Sequence, residues 1–424
     1  MAHIVILGAG LGGMPAAYEL REALDRKHDI TVVNAEEHFQ FVPSLPWLAV
    51  GWRKREDIIL PLAPILERHG IRFIAGAVEK IHPGDNRLEL QGGREVRYDY
   101  LVIATGVRFV FEDVPGLGPD RGHTQWIGSA DYAERCYADV RKLIADPGPV
   151  LVGGVQYASC FGPAYEYAAI LDTVLRQHHV RDRVPMTFVT SEPYIGHLGI
   201  GGVGDTKGIV EHEFRDRHIK WITNAKVTKI EPGKLFAEEV DSKGQVADRH
   251  ELAFKHAMFL PAFRGIEPVA TVEGLANPKG LVIVDEHQRN PKYPNVYAVG
   301  ACIALPPVDP TPVPTGPPKT GYMIETMVTA AVNNIRAELT GGVPSAQATW
   351  NAFCIADFGD TGMVFIAQPQ MPPRNVTWSA AGRWAHWAKI AFEKYFMRKM
   401  RKGVTEPIFE KWAMKLLGLA RLKP

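Results

Sequence analysis

His3-Ile-Val-Ile-Leu7 is a short apolar run, and Gly8-Ala-Gly-Leu-Gly-Gly13 follows it directly. Met14–Leu24 then carries apolar residues at helical spacing, and 30–34 is a second apolar run ending in Asn34-Ala35-Glu36. Strand, G-x-G-x-x-G, helix and strand in that order form a βαβ unit that binds a dinucleotide. Gly8 permits the tight turn, Gly10 lets the backbone approach a pyrophosphate, and Gly13 lets the helix pack close to the sheet. Ala9 and Gly12 complete the loop, and the helix N-terminus offers free N–H groups to the anion. Glu36, 26 residues after Gly10, or Asn34 is placed to hydrogen-bond an adenosine ribose.

Working outward, two more apolar runs end in glycine turns: 98–106 closing on Ala104-Thr105-Gly106, and 295–300 closing on Gly300. Between them lies a second α/β unit, with strands at 149–154 and 186–190 and a helix at 165–177. Its turn, Gly153-Gly-Val-Gln-Tyr-Ala-Ser-Cys-Phe-Gly-Pro163, carries a cysteine and a proline where a nicotinamide dinucleotide wants glycines running straight into the helix. A tight NAD(P)H site is therefore not expected. Residues 306–318 are too rich in proline for helix or central strand. They lead through Lys319 and Gly321 into a helix reaching about Leu339, an N-terminus suited to the electron-rich edge of a flavin.

The bulk composition excludes several classes. The 424 residues exceed one ordinary domain, and a net charge of +1 gives no bias toward nucleic acid. Four dispersed cysteines (Cys136, Cys160, Cys302, Cys354) form neither a disulfide framework nor a zinc pattern, so no metal is expected. No apolar run is long enough for a transmembrane helix, and the first residues read as a strand rather than a signal peptide. The charge is concentrated at the end: from Arg374 onward there are twelve basic and three acidic residues, a local net of +9. Within 380–402, Trp384, Trp387, Ala388, Ala391, Phe392, Tyr395, Phe396 and Met400 fall on one helical stripe, with Lys389 and Glu393 away from it. A second stripe, Ile408, Phe409, Trp412, Leu416 and Leu419, follows from about Thr405. Basic, aromatic-rich amphipathic helices of this kind suit a membrane interface; packing on the core is the competing expectation.

Several longer strings resemble the sulfide:quinone oxidoreductases, within the pyridine nucleotide-disulfide oxidoreductase superfamily and related to flavocytochrome c sulfide dehydrogenase. They are residues 8–20 (GAGLGGMPAAYEL), 158–168 (ASCFGPAYEYA), 191–205 (SEPYIGHLGIGGVGD), 310–325 (PTPVPTGPPKTGYMIE) and 350–360 (WNAFCIADFGD). The resemblance implies an α/β fold of two Rossmann-like domains, glutathione-reductase-like, with a C-terminal amphipathic helical membrane-binding region. Its expected segments are 1–112 and 286–340 for FAD, 113–285 for the second Rossmann-like domain, and 341–424 for the flavin- and quinone-facing tail. It further implies oxidation of sulfide to polysulfur, with two electrons passing through FAD to a membrane quinone. Cys160 and Cys354 are the implied redox pair, and Glu166 and His197 handle protons. Phe353, Phe358 and Lys389 are candidates for the quinone pocket. Lys319 is the alternative counter-charge for reduced flavin. Simple packing is expected for Cys302.

The pattern is broken at one place. Many of these enzymes have a third cysteine where this chain has Gly128, and a histidine where it has Tyr132; Cys136, two helical turns on, is not expected to replace the thiol. The implied partners are sulfide, a membrane quinone and a lipid surface, reached as a peripheral membrane protein, with a homo-oligomer left open. The alternatives are sulfide dehydrogenation with a cytochrome acceptor, NADH:quinone oxidoreduction, and a catalytically impaired paralogue.

Overall fold

The computed structural model describes all residues, Met1–Pro424. Its first sheet is parallel, in the order Val296–Ala298, Tyr100–Ile103, His3–Leu7, Asp29–Asn34, Arg72–Ala75. Ile4 lies opposite both Ile30 and Tyr100. These strands are continuous apolar runs because both faces of a parallel sheet are covered. Helix α1 (Gly13–Ala23) follows the first strand. The late return of Val296–Ala298 beside Tyr100–Ile103 closes the sheet around everything between.

The second sheet, in the order Ile219–Ile222, Met186–Thr190, Val150–Gly154, His256–Leu260, is also parallel. Helix α2 (Ala130–Ala145) precedes it, and α3 (Gly162–Gln177) follows Val150–Gly154. Two antiparallel meanders, within 78–97 and 225–253, are appended to the two units.

Helix α4 (Gly321–Leu339) packs against α1. The chain then forms an antiparallel sheet of Ala352–Asp357, Gly362–Gln368 and Val376–Ala381. Helix α5 (Arg383–Lys402) lies on this sheet, and α6 (Ile408–Leu416) follows. The strand Ala352–Asp357 is contacted by α3, α4 and α5 together. It is therefore the meeting point of both nucleotide-type units and the tail, and it carries Cys354.

Two helix starts differ from the sequence expectation. Residues 380 and 381 belong to a strand, because Ala380 and Ala381 pair with Val364 and Met363. Pro407 caps α6, so that helix begins at Ile408 rather than near Thr405.

The tail faces are the more informative finding. The inner face of α5 carries Lys389 and Glu393, both buried, together with Phe396 and Met400 from the far end of the aromatic stripe; the near end, Trp384 and Trp387, faces outward. Trp387, Ile408, Trp412 and Leu416 are 67%, 78%, 68% and 90% exposed. Buried charge is tolerated only when paired. Glu393 accepts from Arg53 Nε at 2.8 Å and from the Ser44 hydroxyl. Farther along, Lys399 Nζ binds Glu410 at 2.9 Å. Arg421 reaches Glu19 and Glu325 at 2.9 Å and Glu410 at 3.1 Å. The tail is thus riveted to α1 and α4 by a buried ionic cluster. No helix is long and apolar enough to cross a membrane.

Candidate active site

The glycine loop has the shape a dinucleotide requires. Gly8 sits at φ +108°, and a Cβ there would lie 2.4 Å from the Ala104 carbonyl oxygen; one on Gly13 would lie 1.8 Å from that of Gly8. At Gly10 nothing stands within 4 Å, and the N–H groups of Gly10, Leu11 and Gly12 donate to nothing in the chain. Open space faced by unengaged amides at a helix start fits a pyrophosphate. Asn34 is occupied in holding the loop: its Oδ1 accepts from Ala9 N–H at 3.0 Å, and its Nδ2 donates to the Glu36 carbonyl at 2.8 Å. Of the two ribose candidates, the exposed carboxylate of Glu36 is the one left available; Ala35 beside it is exposed too. Thr105 Oγ1 is buried without a partner, next to Gly106 at φ +70°. Gly300 turns at φ +88°. These features fit a bound dinucleotide.

Helix α3 begins differently. A Cβ on Gly153 would lie 1.7 Å from Val189 O, so that glycine serves packing. Tyr157 N–H donates to Pro314 O at 2.6 Å, and Gly316 N–H to Ala158 O at 2.9 Å. The proline-rich segment therefore lies over the turn where a second dinucleotide would enter. Cys160 stands there instead, with Gly162 N–H donating toward its sulfur. Burial pushes its thiol up to about 11, with the Glu166 charge adding to the rise; Lys389 and Lys319 oppose it.

Cys354 joins this environment from its own strand. Burial raises it to about 12, Lys389 pulls it down, and Cys160 and Glu166 push it up. Both thiols are free, and both feel the same carboxylate and the same ammonium. Glu166 Oε1 accepts from Lys389 Nζ at 2.8 Å and from Asp357 N–H at 2.9 Å. Lys389 Nζ also donates to Ile355 O at 3.1 Å. Burial raises the Glu166 carboxyl. Burial pulls Lys389 down most strongly, but the charge and hydrogen bond of Glu166, with Cys354 and Asp357, together outweigh it and leave the ammonium above its ordinary range. Lys319 is lowered to about 8 by burial and forms no hydrogen bond within the chain; its titratable neighbours are Cys302, Cys160 and Lys279. Gly321 opens α4 two residues later with no side-chain cap.

Other expected residues have different roles. Phe358, 1% exposed, belongs to the main core and offers no face to a ligand. Phe353 is half-buried, beside Tyr322, Ile366 and Leu419. Lys389, the other quinone candidate, has its ammonium bound to Glu166. Burial lowers His197 to about 4, and its Nδ1 accepts from Gly199 N–H at 3.2 Å. It holds its own glycine-rich loop. Cys302 is packed against Ile103 O and Val299 O. Cys136 is buried and bonded to the Tyr167 hydroxyl at 3.1 Å.

Gly128 has a physical reason. A Cβ there would lie 1.8 Å from the Trp126 ring. Trp126 packs against Phe109 at 4.3 Å and Tyr132 at 5.2 Å between ring centroids. An aromatic cluster therefore fills the space a third thiol would need. Gly128→Cys should lower stability by about 1–3 kcal/mol, as overpacking does. Trimming Trp126 to alanine in the same chain should relieve that clash, read by thermal melts of both variants.

Sequence reading missed Asp357 and His386. His386 Nδ1–H donates to Asp357 Oδ1 at 2.7 Å, and Trp47 Nε1–H to Oδ2 at 2.6 Å. The available signal was spacing: His386, Lys389 and Glu393 form a polar stripe along α5.

Comparison with known proteins agrees with this architecture. The family model for pyridine nucleotide-disulphide oxidoreductases matches residues 2–331. The sulfide-quinone reductase of Aquifex aeolicus is 43% identical over 417 residues, covering 98% of this chain and 94% of that protein. The mitochondrial sulfide:quinone oxidoreductase of Schizosaccharomyces pombe is 24% identical over 328 residues, 72% and 69% of the two chains. The crystal structure of the Aquifex aeolicus sulfide:quinone oxidoreductase superposes with a TM-score of 0.95 at 42% identity, covering 100% of this chain and 96% of that one. NDH2 of Plasmodium falciparum shares the fold, with a TM-score of 0.72 at 15% identity and full coverage of both chains. With its dinucleotide cradle, its two thiols at one ion pair and this full-length similarity, the chain belongs to the FAD-dependent sulfide-quinone reductase family of the pyridine nucleotide-disulphide oxidoreductases.

Proposed function

We propose that this protein oxidises sulfide at Cys160 and Cys354 and passes the two electrons through FAD to a quinone. The observation that carries the reading is the convergence of both thiols on Glu166 and Lys389. HS⁻ adds to one sulfur of the bridged pair and breaks the S–S bond. One cysteine then holds a persulfide, and the other leaves as thiolate. Glu166 receives the persulfide proton, and Lys389 and Lys319 balance the negative sulfur. FAD, when bound, supplies the acceptor for the electron pair released as the sulfurs bridge again, and the relay to quinone. The glycine loop of 8–13, with Glu36 and Thr105, would hold it. Phe353 and Lys389 are the quinone-side candidates. The segments 1–112 and 286–340 would form one FAD unit, 113–285 the second unit, and 341–424 the acceptor-facing tail.

The test is an anaerobic titration. Sulfide should bleach the flavin absorbance near about 450 nm, and a short-chain quinone should restore it. Bleaching by NADH alone would support the NADH:quinone reading instead, and that reading is disfavoured by the covered turn before α3.

The exposed aromatic face of α5 and α6 supports a lipid surface as the place where quinone is met. Replacing Trp387, Trp412 and Leu416 together by serine should weaken binding to lipid vesicles on the order of 100-fold or more, since each apolar side chain buried contributes roughly 1.5–3 kcal/mol. Co-sedimentation reads the loss, while bleaching by sulfide should persist.

A further inference from the structure

The stoichiometry of this proposed reaction creates a need. A quinone takes up two protons with its two electrons, whereas HS⁻ releases one proton on becoming sulfur. In balance, HS⁻ + H⁺ + quinone gives S⁰ + quinol, so one proton enters from the medium each turnover. The groups around the thiols are buried: Glu166 on α3 and Lys389 on the inner face of α5 are shut away from water. A route for that proton must cross the protein surface.

One side chain of this buried cluster reaches outward. Asp357 is buried, and its carboxylate is held by three donors: Trp47 Nε1–H, Gly359 N–H and His386 Nδ1–H. Its own amide binds Glu166. His386 is only partly covered. Its Nδ1 is engaged by Asp357, and its Nε2 has no partner in the chain and is not sealed from solvent. It lies in the first turn of α5, between the exposed Trp384 and Trp387, with its ring 5.3 Å from that of Trp387. Asp357 and His386 thus link the interior ion pair to the face already argued to meet the lipid.

We propose that Asp357 and His386 are the proton inlet for quinone reduction. Nε2 of His386 takes a proton from the medium, forming an N–H bond. The N–H bond at Nδ1 breaks, and that proton passes to the Asp357 carboxylate, within electrostatic reach of Glu166 and Lys389. A histidine suits the task because its two nitrogens exchange donor and acceptor roles near neutral pH. The charged group against it is Asp357, whose own neighbours are Glu166 from α3 and Lys389, three residues along α5 from His386. The inference rests on the quinone reading above.

His386→Gln keeps a donor for Asp357 but carries no exchangeable charge. In anaerobic stopped flow, sulfide should reduce the FAD of this variant within about twofold of the parent rate. Reoxidation by short-chain quinone should slow by about 100-fold, the usual scale of lost acid catalysis, and added imidazole should restore part of it. Proton uptake from a weakly buffered medium, followed with an indicator dye, should lag by the same factor. Asp357→Asn should give the same split without rescue by imidazole. Reoxidation and proton uptake at the parent rate in His386→Gln across pH 6–8 would overturn the proposal, as would slowing that imidazole leaves untouched in a variant of parental FAD content and melting temperature. Failure of the parent protein itself to bleach with sulfide would instead overturn the activity reading.

Discussion

Cys354→Ser is expected to leave FAD bound and to abolish its bleaching by sulfide, lowering the rate by more than about a thousand-fold, the scale seen when a covalent nucleophile is removed. Cys160→Ser should do the same. Serine nearly matches the volume of the thiol, so the loss is chemical rather than a packing defect. In the proposed step HS⁻ is the attacking species and the cysteines are bridged. Burial pushes the free thiols up to about 11 and 12. The parent rate should therefore follow the concentration of HS⁻ as pH changes rather than either cysteine. Rapid-mixing absorbance at the flavin band reads both variants. Bleaching at the parent rate in either would remove that cysteine from the reaction.

Lys389→Met is expected to destabilise the fold by about 3–5 kcal/mol, because it strands the buried Glu166 carboxylate. The effect should depend on pH with a definite sign. Burial already raises the folded-state pKa of Glu166, and removing the ammonium raises it further. A raised carboxyl begins to cost stability as pH rises above the ordinary value near about 4.3, and the cost is at its full size once pH exceeds the folded value. The melting gap to the parent should therefore be widest at neutral and alkaline pH and close as pH falls. Glu166→Gln combined with Lys389→Met should recover much of the loss, since a neutral pair has no stranded charge. A gap that is constant from pH 4 to 8 would show that Lys389 contributes packing rather than charge.

The first βαβ unit was legible because every feature of it is local: turn glycines, helix and strands lie within 34 residues. Cys160, Cys354 and Glu166 came from longer strings, and their meeting is a product of α3 packing on Ala352–Asp357. Lys389 was found as a quinone-side candidate, but its bond to Glu166 was not legible. Lys389 and Glu393 were read as lying away from the aromatic stripe of α5. In the fold they turn inward beside Phe396 and Met400, because Glu166, Arg53 and Ser44 supply their partners from segments hundreds of residues away. His386 and Asp357 escaped for the same reason. His197, in a conspicuous string, proved to organise its own loop, since sequence shows a ring but not the burial that keeps it neutral.

The ionic rivets of the tail have a mechanical consequence. Arg421, three residues from the C-terminus, is locked among Glu19, Glu325 and Glu410, so the end of the chain cannot swing free. The outward tryptophans and leucines are therefore a rigid sole rather than a tethered hook. On the lipid surface proposed above, the tilt of the molecule would then be decided during folding, and loss of the Arg421 rivet would blur it.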